Sequence, residues 1–489
     1  MKKKNLHNEA LKPGMVLGSP VYADNGNFEL SLGTVLTSEF IVRLQGFGIS
    51  PIRVFDDPEV TAIIKDADLG DDSKLVRKFI PSGKYLYLHG DIGEKVYLLL
   101  SGELDMIYVH PDKLPTKLYT WEKLRIIMAK GRRISSIIKP NSVFGELGPL
   151  LSKPRLVSVK ATENCLVALI PADTTELHQT MLLYPGFGLS VAIGLARQMQ
   201  DRIRKISKYN TLIQRLEPVV KEFPLIYLTI AEKLKNRVIQ TKSENLELLH
   251  EQMKHSSLYS RTSRFQKEGT VLRDFFPHSA PSFKRFNHEI FKGFEIKDVP
   301  EGSVICEPGS PANKIYVLRS GAVGIYQDRK ALIKYRRKGD TLGTVSALLG
   351  YGSKNKTFEK RKLKIKTITR CRYIEIDARY MKDSASENPD LILHISRGLA
   401  DRLANTNSEL LESLTNIEKF VGRLRYGDSS MLGEIGTTLD LCHGDPLTQE
   451  FCKDEIETLE RMRETLETIE VNIEEILSST HMGATYYPH

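Results

Sequence analysis

FIPSGKYLYLHGDIGEKVYLLLSGELDMIYV, residues 79–109, sets short β-rich runs between Gly83, Gly90, Gly93 and Gly102. Strands this short, turned this often, build an antiparallel barrel or jelly roll. The pattern continues through RRISSIIKPNSVFGELGPLLSKPRLVSVKATENCLVALIPA, residues 132–172. After Pro185 the period changes. Val191, Leu195, Met199, Arg202, Ile203 and Ile206 recur at steps of three and four, which predicts a helix behind the barrel.

The same plan returns further along. Gly90-Asp91, Tyr97 and Ser101-Gly102 recur as Gly309-Ser310, Tyr316 and Ser320-Gly321, each 219 residues on, and YPGFGLSVAIGLARQM recurs as NPDLILHISRGLADRL at an offset of 204. The chain therefore carries a duplicated barrel-plus-helix unit, over 75–205 and 284–405. The shrinking offset places an insertion of about 15 to 20 residues in the first copy, around Asp112 to Arg132, expected to be a long hairpin loop. It holds Trp121, the only tryptophan.

Around these copies lie simpler pieces. Residues 8–56 read as a small α+β module: a hairpin turning at Asn25-Gly26, then a helix capped at Thr37-Ser38 with Phe40, Ile41 and Leu44 on its apolar face. Residues 206–282 read as a connector, helical up to about 260 with breaks expected at Pro218 and Pro224, then Ser-rich linker over 255–282. Helices fill 406–489, where Ile456, Leu459, Met462, Leu466, Ile469, Ile473 and Ile476 form one stripe. Packing on its own protein is favoured for it over a coiled-coil seam.

At ~150 residues per domain, 489 residues make about three domains, with 41% hydrophobic and 27% charged residues. No apolar run approaches the ~20 residues of a membrane helix, and the basic start MKKKNLHNEALKPGM has no apolar segment behind it, so a cytoplasmic protein without a membrane span is expected. The 70 basic and 61 acidic residues leave +9. Much of the excess lies in Lys354 to Lys366, read as a solvated edge, with nucleic acid, an acidic partner or an intramolecular contact as alternatives. Five scattered cysteines form no CxxC pair, and Cys442-His443 with Cys452 fits no tetrahedral metal pattern. His89 reads as a surface turn residue.

The chemistry concentrates in Phe144-Gly145-Glu146-Leu147-Gly148-Pro149-Leu150-Leu151-Ser152-Lys153-Pro154-Arg155. Gly145 lets backbone approach a ligand closely, and a helix starting at Glu146 aims free N–H groups at an anion. Glu146 offers two acceptor oxygens to a ribose hydroxyl. Arg155 can return across the short helix to grip a phosphate with its planar fork. A nucleotide with one charged phosphate fits this pair.

The run resembles the phosphate-binding cassette of the cyclic nucleotide-binding domain, found in protein kinase A regulatory subunits and the catabolite activator family. The resemblance spans about 130 residues, including Gly83, Gly90-Asp91, Ser101-Gly102 and Val159. It implies that Glu146 binds the ribose 2′-hydroxyl and Arg155 the cyclic phosphate, supported by the N–H groups of Gly145, Glu146, Leu147 and Gly148. Many members carry Ala, Ser or Thr after the arginine, whereas Leu156 and Val157 follow here. No hydroxyl precedes Ser158, which favours cAMP over cGMP, and Leu156 could instead crowd the pocket. Separately, Lys12-Pro13-Gly14-Met15, Gly33-Thr34-Val35-Leu36-Thr37 and Gly48-Ile49 resemble the small module ahead of bacterial HD-GYP phosphodiesterases. No His-Asp dipeptide and no Gly-Tyr-Pro follows, so no enzyme is inferred from it.

In the second copy a constant offset sets Thr344 at the carboxylate position and Ser353 at the arginine position, so this barrel is expected to be degenerate, with a structural or dimer-forming role. No helix-turn-helix, Walker loop, nucleophile elbow or HExxH appears. The expectation is a tandem jelly-roll protein, mainly β plus α: a non-enzymatic sensor without a cofactor, taking cAMP in its first barrel and signalling to an unidentified protein partner. A non-binding scaffold and a DNA-binding regulator are the alternatives.

Overall fold

The computed structural model describes residues 3–22, 29–56, 76–93, 95–114, 120–137, 140, 142–171, 174–256, 258–260, 289–291, 293–327, 330–335, 338–353, 355–426 and 429–480. They divide into two units, one drawn from 3–202 and 289–408, the other from 203–260 and 409–480.

The first unit holds both barrels. In the first copy, strands Val143–Phe144, Lys95–Ser101, Cys165–Pro171 and Val76–Ile80 form one antiparallel sheet in that order; Tyr85–Tyr87, Ser158–Ala161, Leu104–Tyr108 and Arg132–Ile137 form the other. In the second copy, Thr341–Leu342, Lys314–Ser320, Cys371–Asp377 and Ile296–Val299 repeat the first sheet; Val304–Cys306, Lys364–Thr367, Val323–Gln327 and Lys330–Tyr335 repeat the second. Leu99, Leu104, Val159 and Val167 are sealed from water inside the first sandwich, and Tyr316, Leu318, Val323, Ile365 and Tyr373 share one core in the second, whereas Val96 and Leu166 pack outward against the helices and the N-terminal module. The duplication extends to single bonds. Gly102 and Gly321 both take φ 88°, a Cβ on Gly102 would lie 2.6 Å from Asn164 O, and the following strand's cysteine donates back to the turn in each copy: Cys165 to Glu103 O at 3.0 Å and Cys371 to Ala322 O at 3.1 Å.

The insertion of the first copy is not the expected hairpin loop. Residues Thr120–Lys130 are a helix, anchored by Ile127 against Leu88, Ile107 and Val109, while Trp121 stands 71% exposed. Its Lys123 Nζ reaches Asp91 Oδ1 at 2.8 Å. The helix forms because TWEKLRIIMAK is rich in good helix formers and one face can be buried.

The helix after the first barrel runs unbroken over Pro185–Thr241, with Pro218 and Pro224 inside it, instead of breaking there. Each proline removes one amide donor, but Leu212, Leu216, Val219, Val220, Tyr227, Ile230 and Leu234 stay on one buried stripe past both, so packing holds what local propensity would break. On the same helix Val191, Leu195, Met199 and Arg202 are buried as the period predicts, whereas Ile203 is exposed. Leu189, Val191 and Leu195 share one core with Leu147 and Leu150 of the first copy and with Val317, Leu391 and Ile395 of the second.

In the second unit the later part of this helix accompanies Glu244–His255, Met431–His443, Pro446–Phe451 and Lys453–Thr480. All seven residues of the C-terminal stripe are buried in the chain itself. Glu455, 4% exposed, accepts from Arg237 Nη1 at 2.8 Å and Lys233 Nζ at 3.3 Å. At the N-terminus Lys3–Leu6 pairs with Ile52–Phe55, and Thr37 accepts from Phe40 N at 3.2 Å to cap helix Ser38–Gly46. The Asn25-Gly26 turn, Lys354 and most of the linker, residues 261–288, lie outside the described residues.

Candidate functional site

Strand Val143–Phe144 pairs with Lys95–Ser101, Val143 opposite Leu98 and Phe144 opposite Tyr97, and delivers the chain to Gly145. Gly145 takes φ 81°, and a Cβ there would meet Arg155 Nη1 at 2.9 Å. No other residue fits the turn without displacing the arginine. Glu146 follows in helical conformation, its carbonyl accepting from Leu150 N at 3.0 Å, and a short helix spans Leu147–Leu151. Ser152 closes it in the left-handed region, and the chain returns to Arg155.

Arg155 is 4% exposed and tied down at both ends. Its backbone N–H donates to Asp91 O at 2.8 Å, and its carbonyl accepts from Gly90 N at 2.7 Å. Its guanidinium donates to Gly145 O at 2.5 Å and Lys95 O at 2.6 Å and lies 4.3 Å from the Tyr87 ring centroid. Nε, buried, has no partner among the described residues. Glu146, 2% exposed, accepts at Oε1 from Gln198 Nε2 at 3.1 Å, while Oε2 is buried without a partner among the described residues. Burial pushes its carboxyl up to about 7, against the opposing pull of a backbone hydrogen bond, Gln198 and Arg155. Unsatisfied buried polar atoms cost about 1–3 kcal/mol each, so two such residues side by side, Glu146 and Arg155, describe a place prepared for a ligand.

That cavity, about 20 Å³, is lined by every expected site residue: Gly145, Glu146, Leu147, Gly148, Arg155, Leu156 and Val157. Six residues that the sequence did not single out as binding residues close it, Met106 of the first barrel among them. Tyr87 backs the arginine, Gln198 and Arg202 descend from helix Pro185–Thr241, and Leu403 and Asn407 come from helix Pro389–Leu424 behind the second barrel. Arg202, 1% exposed, fastens them: Nε donates to Asn407 Oδ1 at 3.1 Å and Nη1 to Ile134 O at 2.8 Å. Its place in the apolar period after Pro185 was the one available signal, since a charged residue on a buried stripe needs partners. His89 is no surface turn residue. It is 6% exposed, its backbone N–H donates to Ser158 Oγ at 2.7 Å, its ring stacks on Tyr108, and burial drops its pKa to about 4.

The second copy departs from its expected chemistry. Thr344 does stand at the carboxylate position, but Ser353 is not at the arginine position. Its Oγ donates to Gly350 O at 2.7 Å and accepts from Thr357 N at 2.8 Å, within the cassette's own turn. The arginine position belongs to Arg361. Its backbone N–H donates to Ser310 O at 2.8 Å, its carbonyl accepts from Gly309 N at 2.7 Å, its Nη2 donates to Lys314 O, and its Cζ lies 5.6 Å from the Tyr316 ring. Those partners are the counterparts of Asp91, Gly90, Lys95 and Tyr97. Gly145 and Gly343 are 198 residues apart but Arg155 and Arg361 are 206 apart, so the second cassette is eight residues longer and a constant offset misses its arginine. The basic run Lys354 to Lys366 is thus not one solvated edge, because Arg361 turns inward and strand Lys364–Thr367 sits inside a sheet.

Glu146→Gln keeps the shape of the site and its bond to Gln198. The folded carboxyl holds its proton to about pH 7, whereas an unfolded one releases it near 4.5. The wild type therefore loses stability as pH rises between those values, by about 3 kcal/mol in full above pH 7. Denaturant titration is expected to show the glutamine variant more stable at pH 8, with a gap that narrows toward pH 5. A variant less stable at pH 8 would contradict this.

The family model described as the cyclic nucleotide-binding domain matches residues 77–176 and 296–388. The cAMP-activated global transcriptional regulator CRP of Pasteurella multocida (strain Pm70) is 29% identical over 122 residues, 24% of this chain and 54% of that protein, so the chain spans about half the length of this curated relative. Among solved structures, the regulatory domain of Toxoplasma gondii PKA with cAMP is 13% identical, with 69% of this chain and 88% of that one covered and a TM-score of 0.18. A cyclic nucleotide-binding domain from Methylobacillus flagellatus KT is 22% identical, with 31% and 69% covered and a TM-score of 0.20. Among the described residues no single helix is long and apolar enough to cross a membrane.

Proposed function

We propose, on the premise that residues 77–176 and 296–388 are cyclic nucleotide-binding domains, that this chain is a non-enzymatic cytoplasmic sensor that takes cAMP in its first barrel and passes occupancy to a protein partner. The observation that carries the reading is the pair Glu146 and Arg155, both buried, each with one polar atom that has no partner among the described residues, lining one cavity. Glu146 accepts the ribose 2′-hydroxyl, and Arg155 trades its carbonyl partners for the cyclic phosphate. Preference for cAMP over cGMP is supported by Leu156 and Val157 on the wall, and by Ser158, whose oxygen already accepts from His89 N.

A cavity of about 20 Å³ has room for one water, whereas nucleotide sites run to ~300 Å³ or more. Seating a nucleotide requires the wall to move, and the movable wall is Gln198, Arg202, Leu403 and Asn407. Both helices that carry these residues continue past Arg202 and Ser408. Binding thus selects a conformation in which these helices are displaced, which is the signal.

Calorimetric titration of cAMP and cGMP into the whole chain tests this. Heat with cAMP, weaker with cGMP, is expected. No heat with either, on folded protein free of co-purified nucleotide, would leave a scaffold that has kept the fold.

A further inference from the structure

The second, helical unit has a groove of its own, of about 340 Å³, along the seam of helices Pro185–Thr241 and Lys453–Thr480. Arg204, Lys208, Thr211 and Arg215 line it from the first helix. Steps of four, three and four put them on one helical face over ~16 Å. The floor is apolar, formed by Leu212 and by Ile476 of the second helix, both buried. Cations on a helix surface are commonly spent on carboxylates one turn away, as Lys221 is on Glu217 at 2.7 Å and Arg463 on Glu467 at 2.9 Å in this unit. In the groove Lys208 meets Glu475 Oε1 at 2.7 Å, but Arg204 and Arg215 have no carboxylate partner among the described residues. The sequence accounts for this. Three and four residues from Arg215 stand Leu212, Thr211, Pro218 and Val219, and Asp201, three before Arg204, is taken by Ser135 Oγ at 3.0 Å and Arg202 Nη1 at 3.2 Å. The helix opposite is glutamate-rich, yet the residues it gives to the groove, Asn472 and Ile476, are uncharged.

Two unspent guanidinium forks with an ammonium between them, on a concave surface, have the chemistry of an anion site. Arg204 and Arg215 stand three turns apart, so linked anionic groups suit them better than a single one. The volume falls in the range of small-molecule sites, ~300–1,000 Å³. An amphipathic helix of an acidic partner fits less well, because such a helix needs apolar anchors at three or four successive turns and the floor offers Leu212 and Ile476. We propose that this groove binds a small ligand bearing linked phosphates, gripped by Arg204 and Arg215 with Lys208 between them. None of these residues lines the cavity of the first barrel, so the proposal stands apart from the sensor reading.

The experiment is calorimetric titration of inorganic triphosphate, with orthophosphate beside it, into the full chain at one fixed salt concentration. Saturable binding of one triphosphate is expected, at least about tenfold tighter than orthophosphate because each further phosphate meets a further cation. The double variant Arg204→Ala, Arg215→Ala should weaken it at least about tenfold. Both side chains are exposed and unpaired among the described residues, so the thermal melt should stay put. A second double variant, Lys362→Ala, Lys366→Ala, removes the same charge from exposed positions of the second barrel and should leave triphosphate binding within about twofold, which separates a site from the general pull of a basic protein. Arg155→Ala should also leave it unchanged. Binding that never saturates, an equal loss in the lysine variant, or an arginine variant within about threefold of wild type overturns the proposal. Loss of triphosphate in the Arg155→Ala chain places the anion in the first barrel and overturns it too. Tighter binding of a hexaglutamate peptide than of triphosphate, lost in the Arg204, Arg215 variant, would make the groove a docking surface for an acidic protein segment instead. A chain that ignores cAMP yet binds triphosphate through these arginines would fail the sensor reading alone.

Discussion

Arg155→Ala is expected to weaken cAMP binding by about 10²- to 10⁴-fold. The planar fork supplies two parallel charged hydrogen bonds to a phosphate, each contributing about 1.5–3 kcal/mol, and every 1.4 kcal/mol is tenfold. Because the guanidinium gives up its bonds to Gly145 O and Lys95 O to take the phosphate, the net effect falls toward the lower end of that range. Arg155→Lys separates charge from geometry: it keeps the cation but not the fork, so about one order of magnitude should return. Calorimetry on the whole chain measures both. An alanine variant within threefold of wild type would show that the phosphate is held elsewhere.

Arg202→Ala should cost about 3–5 kcal/mol of stability in the unit that contains the barrels. The side chain is 1% exposed and spans three elements, from helix Pro185–Thr241 to Ile134 O in the first barrel and to Asn407 on helix Pro389–Leu424. Truncation leaves Asn407 Oδ1 and Ile134 O without that donor and opens a void where a large side chain was. Arg202→Met fills much of the volume and places no charge in the interior, so it should cost less than alanine. Denaturant titration of the two variants gives the comparison. An alanine variant within about 1 kcal/mol of wild type, or a methionine variant worse than alanine, would contradict the account.

The parts of this molecule legible in sequence are those set by neighbours in the chain. Gly145, Glu146 and Arg155 lie within eleven residues, so a glycine, a carboxylate and a returning arginine disclose their arrangement locally. Strand alternation and the three-four period behind each barrel are local too. What escaped depends on distant partners. His89 is buried because Ser158 and Tyr108 meet it across the barrel, and Gln198, Leu403 and Asn407 reach the cavity only once two helices of different copies pack together. Arg361 escaped for another reason: insertions in each copy partly cancel, so the offset between copies looks smoother than it is. The prolines of helix Pro185–Thr241 mark the opposite limit, a strong local signal overruled by a buried stripe.

The helix inserted into the first barrel makes the protein its own reporter. Its indole, Trp121, is the single tryptophan of the chain and lies mostly in water. Two residues on, Lys123 holds the side chain of Asp91, whose carbonyl in turn holds the backbone of Arg155. Intrinsic emission excited at the indole band therefore arises from one place, three links from the guanidinium of Arg155, with no label to attach and no second indole to subtract.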